Sequence, residues 1–274
     1  MPADTGQLYL DLLKHTLTRY DLGHNRYPIR AQNVVLDRML HLMTACLRPL
    51  HVEVDRVRPF DPAARDEGRD QPYDAETMVG MKRLDNLQHC VTTVIDDGIP
   101  GDLLEAGVWR GGSAIFMRAL LEVLGDGTRR VWAADSFRGL PPPDPSVNAD
   151  RGDKHHRNRF LSVGLSDVKH NFHKYGLLDD RVSFLEGWFS DTLPRAPIES
   201  LAVLRADGDM YASTMDILTS LYKKISAGGF VIIDDYGAIP ACRQAVETFR
   251  SANSISDPIM SIDWTGVYWR KGGA

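Results

Sequence analysis

Two short apolar runs in the chain stop abruptly at acid. Leu201-Ala-Val-Leu-Arg-Ala leads into Asp207-Gly-Asp209, and Phe230-Val-Ile-Ile leads into Asp234-Asp235. Runs of this kind read as parallel strands covered on both faces. Three more strands are predicted ahead of them. Residues 102–106 lead through Gly107, Gly111 and Gly112 into a helix that opens at Ser113. Residues 130–135 end in Asp135, and residues 181–189 end in Gly187-Trp188-Phe189. Helical spacing follows at 166–175, with Ser166 as N-cap and Gly176 as stop. It recurs at 213–225, before Gly228-Gly229, and from Pro240, which suits the first turn of a helix. Residues 259–263 and 266–269 flank a short loop and read as an antiparallel pair. Strands alternating with helices in this way predict an α/β fold, with a mostly parallel sheet closed by an antiparallel C-terminal hairpin.

The chain before residue 98 has a different texture. Apolar stripes predict helices over 7–20 (Leu8, Leu12, Leu13, Leu17), 31–47 (Val35, Met39, Leu42, Met43, Cys46) and 73–97 (Met78, Met81, Leu84, Leu87), the last capped by Asp74. Residues 21–28 are turn-prone, and the polar, proline-interrupted stretch 56–72 reads as a connector. Residues 1–97 are therefore expected to form a helical region separable from a sheet domain at 98–274. Its stripes are read mainly as packing, and a lid over a site is the sharper alternative. Residues 137–159 form a long polar loop, the kind that is functional or disordered. Adjacent histidines in a basic loop are more often solvated, so His155 and His156 receive no role.

Composition narrows the function. A formal charge of −5 argues against a nucleic-acid partner. No apolar run is long enough to span a membrane, and the first residues carry neither a basic start nor an apolar signal segment. Three cysteines without metal spacing suit reduced thiols in a cytoplasmic protein.

Ligands of open α/β sheets gather at the carboxyl ends of strands. Asp207, Asp209, Asp234 and Asp235 meeting there would repel one another unless a cation sat among them, which points to a divalent metal activating a hydroxyl group. The glycine turn suits an anionic group at a helix start. Asp135 is placed to accept from the ribose hydroxyls of a nucleotide-like cofactor, and Trp188 suits an adenine ring or the core equally well. Any single acid here also reads as a helix cap. A nicotinamide-dependent oxidoreductase remains open, although the turn lacks the compact Gly-x-Gly-x-x-Gly spacing. A non-catalytic module binding the nucleotide-like cofactor or a glycoside remains open too.

Four segments in this order, Leu104-Glu-Ala-Gly-Val-Trp-Arg-Gly-Gly112, Ala134-Asp-Ser-Phe-Arg-Gly139, Leu204-Arg-Ala-Asp-Gly-Asp209 and Ile232-Ile-Asp-Asp-Tyr236, resemble the macrocin/mycinamicin O-methyltransferase family. The similarity runs from about Leu8 to Trp269 and takes in Met78-Val-Gly-Met-Lys-Arg83 and Pro240-Ala-Cys-Arg243. Residues 21–69 are expected to fall outside the family's pattern. The resemblance implies a Rossmann-like class I methyltransferase sheet with an N-terminal helical lid. It implies transfer of a methyl group from S-adenosylmethionine to a sugar hydroxyl of a glycosylated small molecule in antibiotic biosynthesis, with Mg2+ required. It further implies Asp207, Asp234 and Asp235 as metal ligands and Asp209 as general base, although Asp207 and Asp209 could both be ligands. Glu105 would meet the cofactor's amino group, Ser113 its carboxylate, Asp135 its ribose, and Met81 would approach from the lid. Gly107, Ser136, Gly187, Trp188 and Asp207 complete the expected cofactor set. Copies of the chain are expected to associate, if at all, through the N-terminal helices.

Overall fold

The computed structural model of the protein describes residues 4–20, 24–29, 33–52, 54–70 and 72–272. The N-terminal part contains α1 (Thr5–Thr18), β1 (His24–Pro28), α2 (Val34–Leu47), β2 (Asp55–Pro59), α3 (Pro62–Asp66) and α4 (Met81–Asp96). The sheet then starts with β3 (Asp102–Ala106), α5 (Gly112–Val123) and β4 (Val131–Asp135), followed by α6 (Leu165–Lys174), β5 (Val182–Glu186) and α7 (Phe189–Thr192). It is completed by β6 (Leu201–Ala206), α8 (Tyr211–Leu221), β7 (Ile225–Ile233), α9 (Pro240–Ala252), β8 (Met260–Ser261) and β9 (Val267–Arg270).

The seven strands lie in the order β5-β4-β3-β6-β7-β9-β8. Pairing is parallel from β5 through to β7, whereas β9 runs antiparallel to β7, and β8 to β9. The expected layout is the observed one, and its reason lies in the alternation of side chains. Leu103, Val131, Ala133 and Val203 face a layer that includes Leu13, Leu17, Leu84, Leu87 and Phe116 of α1, α4 and α5. Their neighbours Leu104, Trp132, Ala134 and Leu204 face Ile217, Leu218, Val246 and Phe249 of α8 and α9. Each strand is thus apolar on both faces, and burying one such side chain contributes about 1.5–3 kcal/mol.

The N-terminal part departs from the expected run of helices. The connector over 56–72 holds β2 and α3, and β2 pairs antiparallel with β1, placing Tyr27 opposite Arg56. Arg58 lies over the Tyr27 ring, so a stretch rich in charge forms a strand through contacts that hydropathy does not show. Residues 21–23, 30–32 and 71, parts of the predicted turn, helix and connector, lie outside the described residues. The helix expected from Tyr73 begins only at Met81, with Gly80 rather than Asp74 as its cap. The backbone before it is committed elsewhere. Glu76 and Thr77 donate their amides to Leu17, and the Glu76 carbonyl accepts from Gly112 in the glycine turn.

Two other starts shift as well. Helix α6 begins at Leu165 behind Gly164, without a side-chain cap from Ser166. Helix α8 begins at Tyr211 rather than Ser213. Its cap comes from far away: the Asp150 carboxylate accepts the amides of Tyr211 and Ala212 at 2.7 and 3.0 Å.

Candidate active site

Strands β3, β6 and β7 end level with one another. The amide of Asp207 donates to Ala106 and that of Asp234 to Ala206, so the acids after β6 and β7 begin side by side. Gly107, at φ +92°, lies so close to this step that a Cβ there would meet the Asp207 carbonyl oxygen at 2.0 Å. Only glycine fits that approach. Carboxylate oxygens of Asp207, Asp234 and Asp235 lie within 4.8 Å of one another. Asp209 follows on the turn at φ +53°, an uncommon conformation for a residue with a side chain. Its amide donates to Asp235 at 3.3 Å.

Repulsion among these acids is partly met from within the chain. Arg205, buried inside β6, donates to Glu105 at 2.7 Å, to Asp207 at 3.1 Å and to Asp234. Arg83 of α4 donates to Asp234 and, at 2.9 Å, to Asp263. Burial alone would raise the Asp234 carboxyl, but these two guanidiniums more than offset it and hold it below its usual value. The other acids remain in excess. Burial, with Asp234 adding to it, pushes Asp207 up to about 6 against the pull of Arg205. Burial and Asp207 push Asp209 up to about 7, opposed by His155. Asp235 is raised well above its ordinary value by burial and by Asp207 and Asp209. Oxygen donors left with surplus negative charge suit a hard dication such as Mg2+.

Two joined cavities open on this point. One, of about 240 Å³, is lined by Asp135, Ser136, Gly187 and Trp188. The other, of about 400 Å³, is lined by Glu105, Ser113, Asp234 and Asp235 together with Arg83 and Arg205. Met78, Gly107, Trp109, Leu161, Asp207 and Asp209 border both. Glu105 is buried and raised to about 8, first by burial and then by Asp207 and Asp234. Its Oε1 takes Arg205, while its buried Oε2 has no partner. An orphaned carboxylate oxygen beside a glycine-rich helix start fits an amino acid group whose ammonium meets Glu105.

A family profile described as macrocin-O-methyltransferase (TylF) matches residues 6–271, which takes in 21–69 as well, against the expectation that this stretch departs from the pattern. The chain belongs to that family. It is an O-methyltransferase, and its relatives match it end to end. A Streptomyces olivaceus enzyme named 8-demethyl-8-(2,3-dimethoxy-alpha-L-rhamnosyl)-tetracenomycin-C 4'-O-methyltransferase is 53% identical over 276 residues, covering 100% of this chain and 96% of that one. The mycinamicin III 3''-O-methyltransferase of Micromonospora griseorubida is 47% identical over 281 residues, covering 99% of each chain. Among solved structures, that of the O-methyltransferase NovP superposes with a TM-score of 0.84 at 42% identity, covering 98% of this chain and 100% of that one.

Within this O-methyltransferase, the expected site residues gather at the two cavities, with Met81 elsewhere. Met81 opens α4, and its sulfur faces the Thr18 hydroxyl at 3.7 Å, while Met78 borders the cavities instead. Asp135 is engaged on both oxygens. Oδ2 accepts from the amides of Val108 and Trp109, and Oδ1 from the amide of Phe137 and the Ser136 hydroxyl. Several contributors carry little local signal. Arg205 sits within an apolar run, where a charge inside a buried strand demands acidic partners. Arg83 lies in the Met78–Arg83 motif, whose spacing does not reveal its distant acidic partners. Asn158, Phe160, Leu161 and His155 reach the cavity from the polar loop, and only the loop's length hinted at them.

Proposed function

We propose that this O-methyltransferase moves the methyl group of S-adenosylmethionine to a hydroxyl of a deoxysugar carried by a glycosylated natural product of antibiotic biosynthesis. The observation that carries the reading is the meeting of Asp207, Asp234 and Asp235 oxygens within 4.8 Å, beside Asp209, where the two cavities join. The Streptomyces olivaceus relative is named for a rhamnosyl tetracenomycin, and that supplies the acceptor class. A nicotinamide-dependent enzyme or a purely binding protein has no use for such an acid set.

In this reading Glu105 and Ser113 hold the amino acid end of the donor. Asp135 shapes the turn beneath its ribose, with Ser136 beside it, and Gly187-Trp188 lie along its base. Asp207, Asp234 and Asp235 would hold Mg2+, which would supply Lewis-acid stabilisation of negative charge on the acceptor oxygen. Asp209, raised to about 7, takes the hydroxyl proton near neutral pH, where a base of that affinity works best. The acceptor oxygen forms the new C–O bond as the C–S bond of the donor breaks and its electron pair stays on sulfur. Arg83 and Arg205 fix the acids so that little reorganisation is needed.

The division between 1–97 and 98–274 is proposed as a division of labour, not a seam in the core. The N-terminal part adds Gly68, Met78 and Arg83 to the acceptor-side wall. Exposed Val35, Leu36, Met39 and Leu42 on α2 form an apolar face that suits a second copy of the chain. No helix among the described residues is long and apolar enough to cross a membrane, and a cytoplasmic location is part of the proposal.

The test is methyl transfer to a tetracenomycin bearing 2,3-dimethoxy-α-L-rhamnose and to a panel of other glycosides, followed by mass spectrometry with and without Mg2+. One added methyl on a glycoside, lost in chelator, is expected. S-adenosylhomocysteine that fails to bind, or transfer to none of the glycosides, overturns the reading.

A further inference from the structure

Trp109 follows the β3 turn at φ +47°, a left-handed conformation that is strained for an aromatic residue. Its amide is held by Asp135 at 3.3 Å, and the neighbouring amide of Val108 at 2.7 Å. So held, the indole borders both cavities and reaches across them. Its Nε1–H donates to the carbonyl of Phe160 at 2.8 Å, and its ring lies 5.2 Å from that of Phe160. Phe160 belongs to the 140–161 segment, which passes over the cavities and carries His155 and Leu161 to their lining. The far part of that segment is pinned by Asp150 at the start of α8. Between Asp150 and Phe160 the chain makes short helical turns, with basic residues at 151, 154, 157 and 159 exposed.

We propose that Trp109 is a positioning residue for methyl transfer, fastening the 140–161 segment as a roof over the site from the strand end that also carries the cofactor turn. The inference rests on the proposed reading of the two cavities. One indole thereby links the donor side, through Asp135, to the acceptor side, through Phe160. Without that fastening the roof keeps only Asp150 and the packing of the Phe160 ring against Tyr73 and Arg110, and its Phe160 end opens more often away from Asp209, admitting water and loosening the acceptor.

Tryptic cleavage of the full-length protein in saturating S-adenosylhomocysteine reads the roof directly, because Arg151, Lys154, Arg157 and Arg159 lie on it. Trp109→Phe keeps an aromatic ring and removes the N–H donor. Cleavage within 151–159 is expected to speed up by roughly fivefold, the change that loss of one ordinary hydrogen bond makes in an equilibrium. Cleavage elsewhere and S-adenosylhomocysteine affinity should stay within about twofold of wild type. With the rhamnosyl tetracenomycin acceptor, KM is expected to rise more than kcat falls. Trp109→Gly, which suits the left-handed backbone and removes both the ring and its N–H donor, should open the roof in the same manner and serves if Trp109→Phe does not fold. Roof cleavage at the wild-type rate in a folded variant overturns the proposal and leaves the functional reading standing. Failure of the wild-type protein to bind S-adenosylhomocysteine overturns both.

Discussion

Arg83 donates a hydrogen bond to Asp234 across 151 positions of sequence. The guanidinium comes from α4 and the carboxylate from the end of β7, and both side chains are almost fully buried. A second bond from the same guanidinium holds Asp263 in the β8–β9 turn. The N-terminal part therefore reaches a buried acid of the site with a charge, not merely with a covering surface.

Removing that charge leaves Asp234 and Asp263 short of a partner in a buried setting. Arg83→Ala is expected to cost about 3–5 kcal/mol of stability, the usual consequence of breaking one side of a buried ion pair. Chemical denaturation of the cation-free protein measures it. A loss below about 1 kcal/mol would show that water reaches the pair and screens it.

Asp209→Asn removes a base while keeping size and backbone preference, since asparagine tolerates the left-handed region. Turnover should fall by about 10²–10⁴-fold, the range assigned to a positioned general base. S-adenosylhomocysteine affinity, followed by calorimetry, should be unchanged. A variant with near-normal turnover removes Asp209 from the proton step and returns attention to Asp207.

Chelation should stop the reaction and added Mg2+ should restore it. Asp235→Asn should lower Mg2+ affinity, read as the concentration of metal that restores half the rate, while the sheet remains folded. Full activity in chelator would defeat the metal assignment outright.

The raised acids set a direction for stability against pH. Asp207 and Asp209 hold protons in the folded chain up to about 6 and about 7, against an ordinary value of 3.8. Between those limits the folded state binds more protons than the unfolded one, so stability of the cation-free protein falls as pH rises. Asp234, shifted the opposite way, adds stability that is lost only as pH drops through its lowered value. Melting temperature in chelator should therefore decline from about pH 4 to about pH 7, and Mg2+ should flatten the decline. A flat profile in chelator contradicts the burial of these acids.

The sheet could be read from the sequence because its strands are covered on both faces, so each appears as an uninterrupted apolar run closed by a polar turn. The acids at the strand ends were legible for the same reason: they break those runs sharply. What the pattern concealed were interactions joining distant positions. Asp150 caps α8 from 61 residues away, and no local rule identifies a cap that arrives from another loop. The stretch 73–80 has helical spacing, yet its amides and carbonyls are taken by Leu17 and the glycine turn. Strand β2 carries charge at Asp55, Arg56 and Arg58 and exists through its pairing with β1. Arg205 was visible in the motif itself, but its three acidic partners were not.

The packing of Leu13, Leu17, Leu84 and Leu87 into the same core as β3, β4 and β6 bears on how acceptor range could be exchanged between relatives. A graft that carried α1 and α4 across with the rest of the N-terminal part would bring a foreign face to α5 and a foreign guanidinium to Asp234. Exchanging only the stretch 67–80 between α3 and α4, which carries Gly68 and Met78 to the cavity wall, keeps both helices with their own sheet.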